Sequence, residues 1–158
     1  MFIFSGEHEC KLDPKGRLML PSKLKNALPP ESANSLMIQR GFDPHLVLYT
    51  LSEWQKFFSK VMALNEFNEE QRNLQRNLLR SSSEVELDTA GRLLIPKSMQ
   101  KYAQLDKEVT VIGVGNRIEM WNPELYDQVI IKSSSQLSQM AAKYMGKDKA
   151  DSGQMALF

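Results

Sequence analysis

Apolar and polar positions alternate through Glu9-Cys10-Lys11-Leu12, and an apolar run, Leu18-Met19-Leu20, follows the segment Asp13-Pro14-Lys15-Gly16-Arg17. Alternation on both sides of an Asp-x-x-Gly segment predicts strand, tight turn, strand. Asp13 can accept a hydrogen bond from backbone two residues on, Pro14 sets φ for a type I turn, and Gly16 tolerates positive φ. Pro21 then ends the strand and opens a short helix, Pro21 to Leu28, which Pro29-Pro30 stop. Two further strands, Leu36-Met37-Ile38 and Leu46-Val47-Leu48-Tyr49, flank a loop containing Gly41 and Pro44. Thr50-Leu51-Ser52-Glu53 matches a capping box. Trp54, Phe57, Phe58, Val61 and Leu64 follow at helical spacing, which predicts a helix burying one face.

The same plan recurs. Leu87-Asp88-Thr89-Ala90-Gly91-Arg92-Leu93-Leu94-Ile95-Pro96 repeats Leu12-Asp13-Pro14-Lys15-Gly16-Arg17-Leu18-Met19-Leu20-Pro21 with six of ten positions identical, Asp13 to Asp88 being a step of 75. A helix from Pro96 to Ala103 follows, then a hairpin of Val109 to Ile112 and Ile118 to Trp121 around Gly115-Asn116. Asn122-Pro123 is a cap followed by proline at the first helical position, ahead of Leu125, Tyr126, Val129 and Ile130. Tyr49 answers Trp121 and Trp54 answers Tyr126, now at a step of 72, so the loop in the middle of the second repeat is three residues shorter. The expected organisation is a first repeat over 1–65, a helical connector over 66–82, a second repeat over 83–145 and a disordered tail over 146–158. In the connector, Phe67, Gln71, Leu74 and Leu78 form one face and Arg72, Arg76 and Arg80 another. That arginine face reads as a subunit contact or a solvated face. A repeat of about 75 residues is near the lower edge of self-sufficiency, so the halves are expected to share a core.

Composition narrows the function classes. With 158 residues, 42% hydrophobic, one shared core or two small ones can be buried. A net charge of +1 excludes a broadly basic protein, so any nucleic-acid surface must be local or summed over subunits. The single cysteine, Cys10, excludes an internal disulfide framework and fits a reducing compartment. Met1 to Glu7 has no basic leader region, and no apolar run reaches a membrane span, so a soluble cytosolic protein is expected.

Catalysis finds little support. Paired Asp-x-x-Gly segments suggest an aspartate dyad, but glycine stands three residues after each aspartate instead of two, and an arginine four residues on keeps the carboxylates ionised. His8, Cys10 and His45 lack metal-ligand spacing, and no phosphate loop or nucleophile motif is present, so neither metal nor cofactor is expected. Charge points elsewhere. Residues 8–26 carry Lys11, Lys15, Arg17, Lys23 and Lys25 against Glu9 and Asp13, net +3. The equivalent window 83–101 carries Arg92, Lys97 and Lys101 against Glu84, Glu86 and Asp88, net zero. A rigid turn presenting Lys15 and Arg17 can reach phosphates and guanine edges. Each arginine can equally lock its corner by pairing with its own aspartate.

Two Asp-x-x-Gly-Arg-Leu-x-apolar-Pro segments, each followed by an aromatic-led helix, closely resemble the MraZ proteins of the AbrB-like swapped-hairpin superfamily, from Phe2 to about Tyr144. The resemblance implies an α+β fold, a double-wound β-barrel of two interleaved, pseudo-symmetric halves with flanking helices, and subunits assembled in a ring. It implies a cytoplasmic, nucleoid-associated regulator, usually a repressor, that binds short direct repeats in double-stranded DNA upstream of the division and cell-wall gene cluster. DNA contacts carry over onto Lys15 and Arg17, joined on charge grounds by Lys11, Lys23 and Lys25. Asp13, Gly16, Asp88 and Gly91 are structural, and Arg92 is placed with them because Thr89-Ala90 stands in the second copy where the first has Pro14-Lys15. A different class is also open: an antitoxin-like protein-interaction module that uses the same hairpins and works through its helices.

Overall fold

The structure, a computed structural model, describes residues 3–30 and 35–146. Contacts divide the chain into one compact unit ending at Tyr126 and a second beginning at Asp127. The first unit holds β1 (Phe4–Lys11), β2 (Arg17–Met19), α1 (Ser22–Asn26), β3 (Ser35–Arg40), β4 (Leu46–Thr50), α2 (Leu51–Met62), α3 (Glu69–Leu79), β5 (Ser83–Glu86), β6 (Arg92–Leu94), α4 (Lys97–Tyr102), β7 (Glu108–Gly115) and β8 (Ile118–Trp121). Helix α5 (Pro123–Val129) runs across the division. The second unit continues with α6 (Ser134–Ala141) and a single π-type turn to Gly146. No helix among the described residues is long and apolar enough to cross a membrane. The tail expectation falls, beyond Gly146, outside the described residues.

The halves exchange strands. A six-stranded antiparallel sheet runs β1-β7-β8-β4-β3-β5, so the first strand of each half pairs with the third strand of the other. Two pairs join like with like: Leu18 stands opposite Leu93 in the separate β2–β6 ribbon, and Val47 stands opposite Glu119 between β4 and β8. These partners are repeat equivalents, at steps of 75 and 72, so a pseudo-twofold axis passes through both pairs. The ribbon is bridged to edge strand β1 through Leu12 and Leu18 and hairpins out of edge strand β5, closing the layer into a barrel. This is the α+β swapped-hairpin fold that the resemblance implies, and the shared core is the one expected from the repeat. Neither half can bury its apolar residues alone. One cluster containing Leu18, Ile38, Leu46, Leu93, Val111, Ile118 and Met120 draws on both.

The barrel turns a corner where Gly6 faces Gly113 across the β1–β7 ladder. Gly6 has φ +96°, and a Cβ on Gly113 would run into the Ser5 amide nitrogen and the backbone of Phe4. Paired glycines let two backbones approach more closely than side chains permit.

Helix α2 begins as expected, with the Thr50 hydroxyl accepting from the Glu53 amide at 3.3 Å. Its apolar face is less covered than the spacing predicts. Only Val61 is buried; Trp54 and Phe57 are partly covered, while Phe58 and Met62 are exposed. The reason is its neighbour. Helix α3 packs on α2 through polar groups, Gln75 donating to the carbonyls of Val61 and Leu64, and so covers little apolar surface. Phe67, in the loop between them, is 88% exposed.

Beside the axis, Glu119 accepts from Arg117 Nε at 3.0 Å and Trp121 Nε1 at 2.9 Å, with His45 Nε2 3.5 Å away. The His45 ring stacks on Trp121. Burial works to raise the Glu119 carboxyl, but hydrogen bonds from His45 and Trp121, the His45 charge and the bond from Arg117 outweigh it and bring it down to about 2. A depressed carboxyl gives stability that is complete above its ordinary value of 4.5 and lost as pH falls towards about 2. Melting temperatures of wild type and Glu119→Gln should therefore diverge at neutral pH and converge in acid. A constant difference between them across that range would contradict this assignment.

Candidate nucleic-acid interface

The two turns are copies in geometry as well as sequence. Asp13 Oδ1 accepts from the amides of Lys15 (2.9 Å) and Arg17 (2.8 Å), and Oδ2 accepts from Arg17 Nε at 2.7 Å. Asp88 Oδ1 accepts from the amides of Ala90 and Arg92, both at 2.9 Å, and Oδ2 from Arg92 Nε at 2.8 Å. Gly16 and Gly91 share φ +83°, and each donates its amide to the aspartate carbonyl three residues back. A type I turn followed by a left-handed glycine makes the three-residue hairpin loop that joins twisted strands without splaying them. Bonds from the arginine amide, above all, hold each aspartate below the ordinary carboxylate range, and the guanidinium adds to this. Both aspartates are thus ionised at neutral pH.

Each turn is also tied to the other half. Ile95 donates its amide to the Gly16 carbonyl at 2.9 Å, and Leu20 donates to the Gly91 carbonyl at 3.0 Å. The two corners are therefore clamped side by side at the ends of the ribbon.

Alternation along the ribbon decides what faces outward. Leu18 and Leu93 point into the core and are fully buried. Arg17 and Met19 on one strand, with Arg92 and Leu94 on the other, take the opposite face. Register sets Arg17 across from Leu94 and Met19 across from Arg92, so the arginines lie on one diagonal and the apolar pair on the other. Met19 is 55% and Leu94 59% exposed. The arginine side chains are 33% and 34% exposed. In both, the aspartate takes Nε alone, and the Nη groups have no protein partner among the described residues. Such an arginine is oriented and still has its forked end to offer.

The lysines do not stay with the half that encodes them. Lys15 rides on the first turn, but Lys25, on α1, lies over Gly91 of the second turn, 3.0 Å from where a Cβ would stand. Its repeat equivalent, Gln100 on α4, lies over Gly16 and donates to the Ile95 carbonyl at 2.7 Å. The linear asymmetry of charge is thus cancelled in space, each turn combining an aspartate, an arginine and one lysine. Lys23 instead reaches Gly6 on β1, and Lys11 stands opposite Glu108 across the ladder. Lys11, Lys15, Lys23 and Lys25 make no ion pair among the described residues. Sequence reasoning missed Met19 and Leu94, although the period-two pattern around Leu18 and Leu93 marks both as outward.

Known proteins resemble this chain over nearly its whole length. A family profile described as "MraZ protein, putative antitoxin-like" matches it twice, over residues 3–77 and 78–148. It is 48% identical over 151 residues to the transcriptional regulator MraZ of Cytophaga hutchinsonii, covering 96% of this chain and 100% of that protein. It is 37% identical over 152 residues to the transcriptional regulator MraZ of Christiangramia forsetii, covering 96% of this chain and 98% of that one. With both repeats matched and both turns intact, the chain belongs to the MraZ family.

Proposed function

We propose that the chain is a sequence-specific DNA-binding transcriptional regulator, a repressor of the division and cell-wall gene cluster acting at short direct repeats upstream of its own operon. It works in the cytoplasm at the nucleoid, as a ring of identical subunits, without catalysis or cofactor. Its two AbrB-like repeats, 1–65 and 83–145, are joined by the connector 66–82. The observation that carries this reading is the outward face of the β2–β6 ribbon. Arg17 and Arg92 are held by Nε with free Nη groups, a lysine stands at each turn, and an exposed apolar pair lies between them. A two-stranded ribbon fits the major groove, where arginine reads guanine and apolar side chains meet thymine methyls. Lys15 and Lys25 are placed for the flanking phosphates, with Lys11 and Lys23 further out. This proposal moves Arg92 from a purely structural role to the reading face, because its geometry matches that of Arg17.

Binding to the duplex upstream of the gene tests the reading. Two lysines per subunit on phosphates give a slope of log affinity against log salt of about −1.8 for each docked subunit. Affinity that is unchanged between low and physiological salt would contradict it.

The words "antitoxin-like" in the family description leave room for the second reading, a protein-interaction module working through its helices. Met62, Phe67 and Leu74, exposed on and between α2 and α3, suit such contacts. We assign them to neighbouring subunits, since a ring multiplies a small patch through effective concentration. Light scattering at micromolar concentration should find an oligomer; a monomer would remove this support.

A further inference from the structure

Among the described residues three buried side-chain polar atoms have no hydrogen-bond partner: His8 Nε2, Arg40 Nε and His45 Nδ1. Arg40 and His45 both belong to the wall of one cavity of about 480 Å³ between the sheet, α2, the end of α3 and α4. That volume lies in the range of small-molecule clefts, about 300–1,000 Å³. Buried polar groups are almost always paired, so two such groups at one cavity call for a missing partner, and for the arginine that partner is an acceptor.

The wall's two arginines and two carboxylates balance in number, but Arg40 is left out of the pairing. Arg40 has no ion pair among the described residues; its guanidinium sits 4.9 Å over the Tyr102 ring, whose hydroxyl donates to the Gly41 carbonyl at 2.9 Å. The position of the cation is thus fixed while its charge is unmatched. Two carboxylates share the cavity. Glu119 is engaged by Arg117 and Trp121, and Asp43 forms no ion pair among the described residues. His45 is 4% exposed, with Nε2 turned to Glu119 and Nδ1 left over. The rest of the wall sets polar Gln39, Asn77 and Ser81 beside an apolar and aromatic part formed by Val47, Tyr49, Phe57 and Leu78.

We propose that this cavity binds a small organic anion, a carboxylate or phosphate monoester on a flat apolar body. The oxyanion lies against Arg40, and the body against Tyr49, Phe57 and Leu78. The pseudo-symmetric position cannot hold the same site, because Arg40 is answered by Gly113 and His45 by Arg117. The site is therefore single among the described residues, and it shares no residue with the outward face of the ribbon.

Calorimetric titration of the full chain in its native assembly tests this, with benzoate, phenyl phosphate and phenol as probes. Saturable binding of either anion, and none of phenol, is expected; which anion binds distinguishes a carboxylate ligand from a phosphate one. Arg40→Gln should weaken that binding roughly ten- to hundredfold, the effect of losing one charge-assisted hydrogen bond. Ser81→Phe, which fills the cavity from its rim and leaves Arg40 and His45 in place, should abolish binding even if Arg40→Gln does not fold. Absence of binding by both anions, equal binding of phenol, or undiminished binding in Ser81→Phe would overturn the proposal.

Discussion

Arg17→Ala and Arg92→Ala should each leave a folded oligomer that binds operator DNA roughly ten- to hundredfold more weakly, and the double variant should bind no better than to random sequence. A bidentate arginine–guanine contact is worth about 1–3 kcal/mol, so roughly ten- to hundredfold is the loss for one docked subunit, and each further docked subunit multiplies it. Folding should survive because the aspartate keeps its bonds to two backbone amides in each turn when the guanidinium is gone. Exposed ion pairs also add little stability. Thermal melts and operator titrations on the same samples check both halves of the statement. Loss of binding in Arg17→Ala alone would restore the asymmetry that the linear charge pattern suggests. Arg92 would then be purely structural.

Gly113→Ala should be among the most destabilising single substitutions in the barrel. Its Cβ meets the backbone of Phe4 and Ser5, not a flexible side chain, so β1 must move away from β7. Overpacking costs about 1–3 kcal/mol, and a clash with backbone lies at the upper end. For a chain of this size the melting temperature should fall by about 6–12 °C. Gly115→Ala is the matched control: that glycine has φ +69° but open space around it, so its cost is conformational only. Similar melting temperatures for the two variants would show that close approach at the corner is not what holds the swapped strand.

The repeat made most of this architecture legible. Identical Asp-x-x-Gly-Arg segments specify identical turns because the aspartate bonds are local, spanning two to four residues. The hairpins were readable for the same reason, with one refinement. The five residues between Arg40 and Leu46 become four between Gly113 and Ile118, so one of the three missing residues lies in that turn and the others lie before β7. Strand β1 extends to Phe4, well beyond the alternating stretch, because long-range pairing with β7 overrides its polar start. Helix α6 escaped notice, although Ser133 caps it by accepting from the Gln136 amide.

The basic face was the hardest feature to place. Summing charge in a sequence window assumes that neighbours in sequence remain neighbours in space. A strand swap breaks that assumption, and Lys25 moves to the other turn. No local pattern carries that information. It resides in the pairing of β2 with β6 and in the bond from Leu20 to Gly91, both of which cross between halves.

The central claim is that the outward face of the β2–β6 ribbon lies on DNA, and photo-crosslinking tests it most directly. A benzophenone side chain placed at Met19, in the middle of that face, should crosslink to the duplex upstream of the gene and not to a scrambled duplex at physiological salt. The same group at Phe67, between α2 and α3, should crosslink to a neighbouring subunit. DNA adducts from position 67 with none from position 19 would contradict the account and move the working surface to the helices.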